Sequence, residues 1–578
     1  MASVNFTEGH IKPPTAIHDV DQLLPNIVDG MAAARSHAVY AQIPNSFTSY
    51  AAGFRKVTYR HLANAVNGIA WLLSKELGQG KNTETLAYIG PNDIGYVVAI
   101  LGAAKAGYAI LVPSPRLVQA DCVKLLDTAS CKTLLTLQPP HGPLVQNLLK
   151  SGDDLPVISI PTIYELLGQQ QEHYPYPHRY QDLKDRPLCM VHTSGTTGAP
   201  KPLIWTHKTA AAFIRELRAP PPENYSNAIA EIQSNTMFAL FPFFHSGGIM
   251  IALIDAIASQ TTVVCPLAGV PPSTPTIIEG LQQLDMDVFC APAPFLEEIA
   301  KKPEWISAVT SRASAVVFSG ADVSYATGRA FTKAGVRIQN LYGSSEGLTM
   351  PAIRARKDSY EDAWQYIQPH AYANITFQKQ KGSDEEMFEL VWIKNDEPEE
   401  IQPIFTVYPH LEEFHPRDLF SPHPHDQHLW RFRGRSDDLI ATLTGELCNP
   451  IAFEQELSTL PEVNAVLLSG TGRWQKVLLV EPADAKIGDL IERIWPSIER
   501  ANEKLSKTSR LAKTHVLVTS PDRPMLRSRK GTVQRAPTLR LYEQEIDDLY
   551  RIEGDGDHIR HEPIPVHLDM AGREREEL

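Results

Sequence analysis

The sequence has few cysteines, and none of them are closely spaced. All six are scattered along the 578 residues, and no C-x-x-C pair occurs. This pattern predicts reduced, mostly buried thiols in an intracellular compartment. The first residues, "MASVNFTEGHIKPP", lack the apolar run of a signal peptide. We therefore expect a cytoplasmic protein.

Excess positive charge and long apolar runs are also missing. Asp and Glu outnumber Lys and Arg by 67 to 54, which gives a net charge of −13, and no basic run is interleaved with aromatic residues. Since nucleic-acid surfaces are normally basic, we expect no nucleic-acid partner. The longest apolar segment, 96–112, is interrupted by Lys105 and two glycines. It is too short to span a bilayer, so no membrane partner is expected.

The length of the chain and its alternating pattern predict the fold class. A chain of 578 residues is too long for one ordinary core. The segments "TLAYIG" and "AILVP" are typical of short buried strands, and a helix is expected between them over 93–106. This rhythm predicts an α/β fold with a largely parallel sheet. The Pro-rich stretches 137–155 and 169–187 predict loops.

The pattern of predicted strands and helices changes near "RFRGRSDDLI", and this change predicts a domain boundary. We expect a large N-terminal domain over 15–435, with parallel-rich sheets flanked by helices, and a small α+β domain over 436–548. The charged segment 549–578 is expected to form a loosely ordered tail.

The stretch "HTSGTTGAPKP" (192–202) places hydroxyls and glycines ahead of one lysine. Glycines let backbone N–H groups approach an anion closely, and hydroxyls add donors. A Walker loop is excluded because Lys201 does not follow a glycine and is itself followed by Pro202. By itself the stretch is compatible with a phosphate loop or with a polar surface turn.

Three later stretches, in order, make the phosphate loop the better interpretation. They are "NLYGSSEG" (340–347), "FHPRDLF…RFRGRSDDLI" (414–440) and "MLRSRKGTVQR" (525–535). Together with 192–202, and with "AKAGYAILVPSPR" (104–116) before it, they resemble the acyl-adenylate-forming, or AMP-binding, superfamily. The forms "KGTVQR", "RDLFSPHP" and "GRSDDLI" resemble the fungal branch of nonribosomal-peptide-synthetase-like proteins and adenylate-forming reductases. The resemblance covers about 55–545.

The resemblance implies ATP as a substrate and Mg²⁺ as a cofactor. Glu346 matches the carboxylate that holds Mg²⁺, and Ser345 matches a hydroxyl near the α-phosphate. Asp418 matches the ribose-binding aspartate, although Pro416-Arg417 stands where Thr-Gly is usual. Tyr342 matches the aromatic that stacks on adenine, and Gly320, Ala321 and Asn340 match positions that line the adenine pocket. The residues that match the nucleotide site are Thr193, Ser194, Gly195, Thr196, Thr197, Gly198, Lys201, Gly320, Ala321, Asn340, Tyr342, Gly343, Asp418 and Arg435.

The C-terminal lysine and the hinge are also assigned by resemblance. Lys530 is the candidate for the catalytic lysine that contacts the substrate carboxylate and the α-phosphate. The usual motif ends in Gly-Lys, whereas here Lys530 precedes Gly531 and Thr532 takes the usual lysine position. The alternative is that Lys530 is a solvated charge in a basic loop. Asp437 matches the hinge about which the small domain rotates, so that domain is expected to be mobile.

The segment "FPFFHSGGIM" (241–250) matches the segment that lines the acyl pocket. Amino-acid-activating relatives place an aspartate for the substrate amine where this chain has Ser246, so an ammonium group would lack its ion pair. An aryl, keto or other amine-free acid is therefore expected. His245 either acts on the substrate or only shapes the pocket. The predicted acyl-pocket residues are Phe243, His245, Ser246, Gly247 and Pro292.

These assignments predict an ATP-dependent ligase that adenylates a small carboxylic acid. The acyl group would then pass to a thiol, either coenzyme A or the phosphopantetheine of a carrier protein. Relatives in the reductase branch continue into carrier and reductase domains, and no such signature follows the last motif here. Two alternatives stay open: an isolated adenylation module of a carboxylic acid reductase system, and a degenerate relative that binds nucleotide without turnover.

Overall fold

A computed structural model describes most of the chain. The described residues are 3–5, 22–81, 83–150, 155–194, 200–229, 232–233, 235–356, 360–380, 386–395, 401–441, 447–473, 475–503, 510–528 and 531–552. Clustering of contacts divides the chain into two compact units. The large unit contains Met1–Lys379, Phe388–Arg433 and Arg529–Thr532, and the small unit contains Gln380–Met387, Gly434–Ser528 and Val533–Leu578.

The described residues form strands in this chain order: β1 Ser3–Asn5, β2 Val39–Pro44, β3 Phe54–Thr58, β4 Thr85–Tyr88, β5 Ala109–Leu111, β6 Leu134–Leu137, β7 Val157–Ile160, β8 Pro187–Ser194, β9 Pro200–Thr206, β10 Tyr225–Asn227, β11 Thr236–Ala239, β12 Thr262–Val264, β13 Val288–Pro292, β14 Ala315–Ser319, β15 Arg337–Asn340, β16 Gly343–Ser344, β17 Leu348–Thr349, β18 Ala352–Ala355, β19 Gln368–Pro369, β20 Ile375–Lys379, β21 Phe388–Ile393, β22 Glu413–Phe414, β23 Asp418–His423, β24 Asp426–Arg435, β25 Ile440–Ala441, β26 Leu447–Cys448, β27 Val463–Ser469, β28 Val477–Pro482 and β29 Val516–Val518.

The α-helices are α1 Leu24–Ala34, α2 Tyr59–Leu77, α3 Gly95–Ala106, α4 Gln119–Thr128, α5 Gly142–Lys150, α6 Ile163–Gly168, α7 Tyr180–Leu183, α8 His207–Leu217, α9 Ser246–Ile249, α10 Ala256–Ser259, α11 Thr274–Leu281, α12 Ala293–Ala300, α13 Pro303–Thr310, α14 Tyr325–Lys333, α15 Pro403–Val407, α16 Pro450–Ser458, α17 Leu490–Glu503, α18 Arg535–Leu541 and α19 Glu543–Ile552. A π-helical turn spans Met250–Asp255, and 3₁₀ turns span Ala363–Gln365, Ala371–Ala373, Ser436–Asp438 and Lys513–His515.

Two large sheets carry the α/β architecture of the large unit. One has the strand order β7-β6-β4-β5-β8-β9, and the other has the order β15-β14-β13-β11-β12-β2-β3. Within each sheet only the last pair, β8–β9 or β2–β3, is antiparallel, and the other neighbours are parallel. Parallel strands connected through helices bury both faces of a sheet. The predicted α/β class with parallel-rich sheets is therefore confirmed.

Helix α2 shows how sequence pattern leads to packing in this unit. The Thr58 hydroxyl accepts a hydrogen bond from the His61 backbone N–H, which closes a capping box at the start of the helix. Leu62, Val66 and Ile69 then lie on one side and are fully buried. The buried positions of α2 therefore recur at the helical spacing that the sequence predicts.

The remaining sheets are antiparallel or small. A six-stranded sheet runs β1-β20-β21-β23-β24, with β22 beside β21, and a three-stranded sheet has the order β10-β18-β19. In the small unit, β27 pairs with β28 antiparallel and β28 with β29 parallel. This sheet packs with α16 and α17 over a core that includes Leu457, Leu478 and Ile498. The α+β character expected for the C-terminal part is therefore present.

Both Pro-rich stretches that predicted loops contain helix. Helix α5 occupies Gly142–Lys150, because Leu144, Val145 and Leu148 form a buried face after the helix-breaking start. Helix α7 is a single turn at Tyr180–Leu183, with Tyr180 buried. In the C-terminal segment, α19 continues through 549–552, and 553–578 lies outside the described residues.

Among the described helices, none combines the length and the hydropathy that crossing a membrane requires.

Candidate active site

The described flanks of the phosphate loop form an antiparallel hairpin. Strand β8 ends at Ser194 and β9 begins at Pro200, and Thr193 lies directly opposite Lys201 in the register. The side chain of Thr193 is half-buried and that of Lys201 is exposed. The hairpin therefore brings the predicted lysine and a predicted hydroxyl to the same end of the loop. Gly195, Thr196, Thr197 and Gly198 lie outside the described residues, as does the side chain of Ser194.

A second hairpin presents the "YGSSEG" motif. Gly343 in β16 pairs with Thr349 in β17, and a Cβ atom at Gly343 would lie 2.3 Å from the Leu348 carbonyl oxygen. Only glycine allows this approach. The Ser344 hydroxyl accepts a hydrogen bond of 3.0 Å from the Gly347 backbone N–H. The connecting turn is thereby held so that it carries Ser345 and Glu346, the two residues predicted to face phosphate and metal.

Ser345 joins three segments that are distant in sequence. Its hydroxyl lies 2.7 Å from the Ser246 hydroxyl, and its carbonyl oxygen accepts a 3.0 Å hydrogen bond from the indole N–H of Trp205. Ser246 begins the helix of the acyl segment, and Trp205 lies in β9 four residues after Lys201. The predicted acyl segment, the hairpin that flanks the predicted phosphate loop, and the turn that carries Glu346 therefore meet at Ser345.

Tyr342 and Asp418, predicted to contact adenine and ribose, are in direct contact. The Tyr342 hydroxyl donates a hydrogen bond of 2.5 Å to Oδ2 of Asp418, whose side chain is buried. The Tyr342 ring packs edge-on against Phe420 at 5.2 Å and lies 6.1 Å from Phe432. Residues of β23 and β24 therefore surround Tyr342, the residue predicted to stack on adenine.

Arg417, immediately before Asp418, has a backbone φ of +64°. That is a left-handed conformation which glycine adopts without a steric penalty.

The other adenine-site candidates follow two neighbouring parallel strands. Gly320 and Ala321 come directly after β14, and Asn340 ends β15, where it lies beside Phe318. Gly320 has a φ of +84°, so a glycine is needed for the chain to leave the strand at this angle. In open α/β sheets ligands bind at the carboxyl ends of the strands. The three residues lie at that edge, where Tyr342 also follows β15.

The acyl segment is held by backbone and side-chain hydrogen bonds. Nδ1 of His245 accepts from the Gly247 backbone N–H at 3.2 Å and lies 3.3 Å from the Ser246 hydroxyl. An accepting Nδ1 in a neutral ring leaves the proton on Nε2. This cap role favours the interpretation that His245 shapes the pocket. Phe243 is buried, and its N–H donates to the Asn92 side chain at 2.8 Å. Pro292, the last residue of β13, is also buried.

Glu346 fits a role in holding a magnesium ion. Its half-buried carboxylate makes no hydrogen bond or ion pair among the described residues. Carboxylate oxygen is a ligand type that Mg²⁺ prefers, and magnesium bound to nucleotides commonly takes only one or two carboxylates from the protein. The pKa of the nearby Tyr408 phenol is raised by burial and by the negative charge of Glu346. The donor set therefore suits a cation that also binds phosphate oxygens.

In the small unit, Arg435 and Asp437 form an exposed ion pair of 3.2 Å. The next residue, Asp438, lies 3.5 Å from Arg535, and Arg535 also binds both oxygens of the half-buried Glu454 at 2.7 and 2.8 Å. The candidate hinge turn is thereby connected to the start of α18. Burial raises the pKa of Glu454, and the arginine beside it opposes that shift.

The base of the loop that carries the candidate lysine is also well defined. Arg527 pairs with Val533 in an antiparallel bridge, and the Arg527 guanidinium binds both oxygens of Glu481 at 2.6 and 3.2 Å. Gly531 has a φ of +84°. Lys530 itself lies outside the described residues, so its catalytic role stays a prediction.

Sequence reasoning missed several residues that support the site. Trp205 and Asn92 position Ser345 and Phe243, and the Ser114 backbone N–H binds Nε2 of His192 at 3.1 Å just before the phosphate loop. The role of Trp205 could have been predicted from the stretch "LIWTH" after Lys201, because the indole N–H of a buried tryptophan usually has a hydrogen-bond partner. The contacts of Asn92 and Ser114 are long-range and left no local pattern.

Two family models match most of the chain. The model described as AMP-binding enzyme matches residues 36–369, and the model described as AMP-binding enzyme C-terminal domain matches 437–553. These matches agree with the superfamily resemblance of the four motifs.

Comparisons with individual proteins agree with the family match. The chain is 27% identical to a carboxylic acid reductase of Neurospora crassa and 28% identical to the adenylate-forming reductase Nps11 of Serpula lacrymans, over 92% and 95% of its own length. It spans only 50% and 51% of those two relatives. The solved anthranilate CoA ligase AuaEII, in complex with anthranoyl-AMP, is similar in fold, with a TM-score of 0.68 at 15% identity over 91% of this chain and 97% of that one.

Proposed function

The chain belongs to the AMP-binding enzymes, and from this premise we propose that it uses ATP to convert a small amine-free carboxylic acid to an acyl-adenylate and then transfers the acyl group to a thiol. The single observation that carries the proposal is the contact of Ser345 with Ser246 and Trp205. It joins the acyl segment, the phosphate hairpin and the turn of Glu346, so an acid and a triphosphate can be bound side by side.

Binding of the nucleotide is assigned to two groups of residues. Tyr342 offers its ring to adenine, and the Asp418 carboxylate, which the Tyr342 hydroxyl orients, accepts hydrogen bonds from the ribose hydroxyls. Thr193 and Lys201, opposite one another at the mouth of the hairpin, provide a hydroxyl and an ammonium group for the β- and γ-phosphates. Mg²⁺ held by Glu346 would supply charge neutralisation at the phosphate oxygens.

The first step forms one bond and breaks one. An oxygen of the substrate carboxylate attacks the α-phosphorus, and the bond from that phosphorus to the bridging oxygen breaks, so pyrophosphate leaves with the electron pair. The Ser345 hydroxyl lies at the turn predicted to face the α-phosphate. Its hydrogen bond to Ser246 keeps it oriented before the substrate arrives. In the second step a thiolate attacks the acyl carbon and AMP leaves, while the thiol proton passes to solvent.

Ser246 supports the choice of an amine-free acid. Its hydroxyl is neutral and is already engaged with Ser345 and His245. A substrate ammonium placed here would lose water without gaining a carboxylate, and this desolvation is costly. Aryl and keto acids carry no such group, and the buried Phe243 and Pro292 provide apolar surface.

A second candidate function is the adenylation module of a carboxylic acid reductase system. The observation that favours it is that the chain spans 50% of the carboxylic acid reductase from Neurospora crassa. Coenzyme A and a phosphopantetheinyl carrier protein can be offered together as acceptors. Acylation of coenzyme A would indicate a stand-alone ligase, and acylation of the carrier protein alone would indicate an adenylation module of a reductase system.

Acid-dependent ATP–pyrophosphate exchange tests the first step. Aryl, keto, fatty and amino acids are compared with the wild type, Glu346→Gln and Ser345→Ala. We expect exchange with one amine-free class and a loss of at least about 100-fold in Glu346→Gln, since a charged group in the reacting centre is removed. Glu223→Gln, at an exposed glutamate, is the matched control. Exchange that is absent with every acid, while ATP still binds, would favour the degenerate nucleotide-binding alternative.

A further inference from the structure

A cleft of about 650 Å³ lies in the large unit at the amino ends of β4, β5 and β8. Thr83, Tyr108 and Pro187, which line it, come just before or at the start of these three parallel strands. Strand β8 is eight residues long, and at about 3.3 Å per residue its two ends lie roughly 23 Å apart. The cleft is therefore at the opposite edge of the sheet from the end of β8 that leads into the phosphate loop. We call it the amino-edge cleft; the residues used to define it are Trp71, Lys81, Tyr174, Tyr176, Arg186 and His207.

One wall of the amino-edge cleft is a rigid aromatic surface. Trp71 is 39% exposed, although its indole N–H donates to the Glu172 carbonyl oxygen and its ring meets Tyr174 edge-on at 4.6 Å. The Tyr174 hydroxyl is fixed by Ser74 at 2.7 Å and by Gln79 at 2.6 Å. Both rings are therefore held in place before any ligand binds. A fixed, partly exposed indole is well suited to stack on a planar ring.

The rim of the amino-edge cleft has an excess of positive charge. Lys81 and Arg186 make no ion pair with any described residue. The one carboxylate in the lining, Asp182, is already engaged by Arg179 at 3.1 and 3.2 Å. The ammonium of Lys105 is also satisfied, because it binds both oxygens of Asp29. Two free cations remain in a chain whose overall charge is −13.

Two buried polar side chains lack partners in the amino-edge cleft. Tyr176 is 7% exposed and its hydroxyl has no hydrogen bond. His207 is 6% exposed, and its ring makes no hydrogen bond with any described residue. Burial and the charge of Arg186 lower the pKa of His207 to about 4, so the ring is neutral at physiological pH. Leaving the buried Tyr176 hydroxyl unpaired costs free energy, and a bound molecule that hydrogen-bonds to it would recover that cost. The neutral His207 ring is a further hydrogen-bonding group in the lining.

From these observations we propose that the amino-edge cleft binds a small anionic molecule with a planar ring, separately from the catalytic edge. Arg186 and Lys81 hold its carboxylate or phosphate, Trp71 stacks on its ring, and Tyr176 and His207 supply neutral hydrogen-bonding groups. The volume is within the range of small-molecule sites. No residue of the proposed catalytic site takes part.

The experiment uses the full chain and four probes. Phenyl phosphate and benzoate distinguish the two anionic head groups, benzamide is the neutral control, and an acidic peptide with one phenylalanine represents a macromolecular ligand. Binding is measured by calorimetry with the wild type, with Lys81→Gln/Arg186→Gln, and with Lys124→Gln/Lys333→Gln. The last variant removes the same charge at exposed positions away from the cleft.

We expect one of the two anionic probes to bind at a site that the Lys81/Arg186 variant weakens at least tenfold, whereas the Lys124/Lys333 variant does not. Trp71→Leu and Tyr176→Phe should also weaken this site. Tyr176→Phe should make the unliganded protein at least as stable as the wild type, because the buried hydroxyl has no partner to lose and its unpaired state is removed. All variants should keep wild-type ATP affinity.

Three results would overturn the proposal. In the first, the wild type and the Lys81/Arg186 variant bind both anions with equal affinity. In the second, benzamide binds as tightly as benzoate. In the third, the acidic peptide binds but neither phenyl phosphate nor benzoate does. Benzoate could also bind the catalytic edge. That binding would survive Lys81→Gln/Arg186→Gln unchanged, so failure of this proposal is distinguishable from failure of the proposed function.

Discussion

Replacing Tyr342 with phenylalanine removes one hydroxyl and keeps the ring that is assigned to adenine. The hydroxyl donates at 2.5 Å to Oδ2 of Asp418, a carboxylate that is only 8% exposed. A hydrogen bond to a charged group contributes about 1.5–3 kcal/mol. If the bond orients Asp418 for the ribose, about 2 kcal/mol of ATP binding is lost, which is roughly a 30-fold rise in Kd.

The assay compares ATP with 2′,3′-dideoxy-ATP by calorimetry in the absence of any acid. The wild type should prefer ATP, because only ATP has the diol that a carboxylate can accept from twice. Asp418→Asn and Tyr342→Phe should each reduce this preference. The double variant should lose less than the sum of the two, since both changes remove the same oriented carboxylate. Tyr325→Phe, at a tyrosine that is 50% exposed, is the matched control.

One pattern would refute this reasoning. If Tyr342→Phe binds ATP as the wild type does and discriminates equally against the dideoxy nucleotide, the hydrogen bond serves the fold alone. If Asp418→Asn also binds both nucleotides as the wild type does, Asp418 has no part in ribose recognition, and the nucleoside site has to be placed elsewhere along the carboxyl edge of the sheet.

Three further predictions concern buried charges. Burial raises the pKa of Asp93 from 3.8 to about 7, so the folded state holds an extra proton between these pH values. The free energy of unfolding therefore falls by up to about 4 kcal/mol as the pH rises through this range. Asp93→Asn should abolish this contribution, as measured by urea titrations at pH 5 and pH 8. Lys105→Met leaves the Asp29 carboxylate without its 2.7 Å partner and should lower the free energy of unfolding by about 3–5 kcal/mol. The double variant Lys105→Met/Asp29→Leu should recover most of that loss. Glu454→Gln breaks the bidentate pair with Arg535 and should speed hydrogen exchange in 436–438 and 535–541 by at least about tenfold, whereas unchanged exchange would contradict the link.

Much of the fold could be predicted because its signals are local. Buried strands such as β4, β13 and β14 are short runs of apolar residues that end at small or polar residues, and the structure has them within a few positions. Helix α5 was hidden because Gly142 and Pro143 open a segment that looked like a loop. Its apolar face contains only Leu144, Val145 and Leu148. Tertiary burial of that face outweighed the local signal.

The candidate site could be predicted as a set of motifs and not as a geometry. Ser246 and Ser345 are 99 positions apart, yet their hydroxyls are 2.7 Å apart. No local pattern encodes such a contact, since it depends on how the acyl helix and the β16–β17 hairpin pack. The partnership of Tyr342 and Asp418 was likewise invisible, although each residue was expected at the nucleotide site.

Arg417 shows how a departure from the family pattern can persist in the structure. The sequence has Pro416-Arg417 where Thr-Gly is usual, and the Arg417 backbone still adopts a φ of +64°. For a residue with a Cβ atom this conformation costs about 1–2 kcal/mol. Glycine would relieve that strain, while its greater freedom in the unfolded chain offsets about 0.5–1 kcal/mol. Arg417→Gly should therefore stabilise the large unit by about 0.5–1 kcal/mol.

The same substitution tests whether the strained residue serves the nucleotide site. Strain of this kind often marks a functional position, and Arg417 directly precedes the carboxylate assigned to the ribose. If the arginine contributes to nucleotide binding, Arg417→Gly gains stability and loses ATP affinity, and Arg417→Lys, which keeps the charge, retains most of the affinity and none of the added stability. If Arg417→Gly is more stable and binds ATP as the wild type does, the arginine is a tolerated replacement. A less stable Arg417→Gly would mean that contacts of the arginine outweigh the backbone strain, and the strain argument would fail.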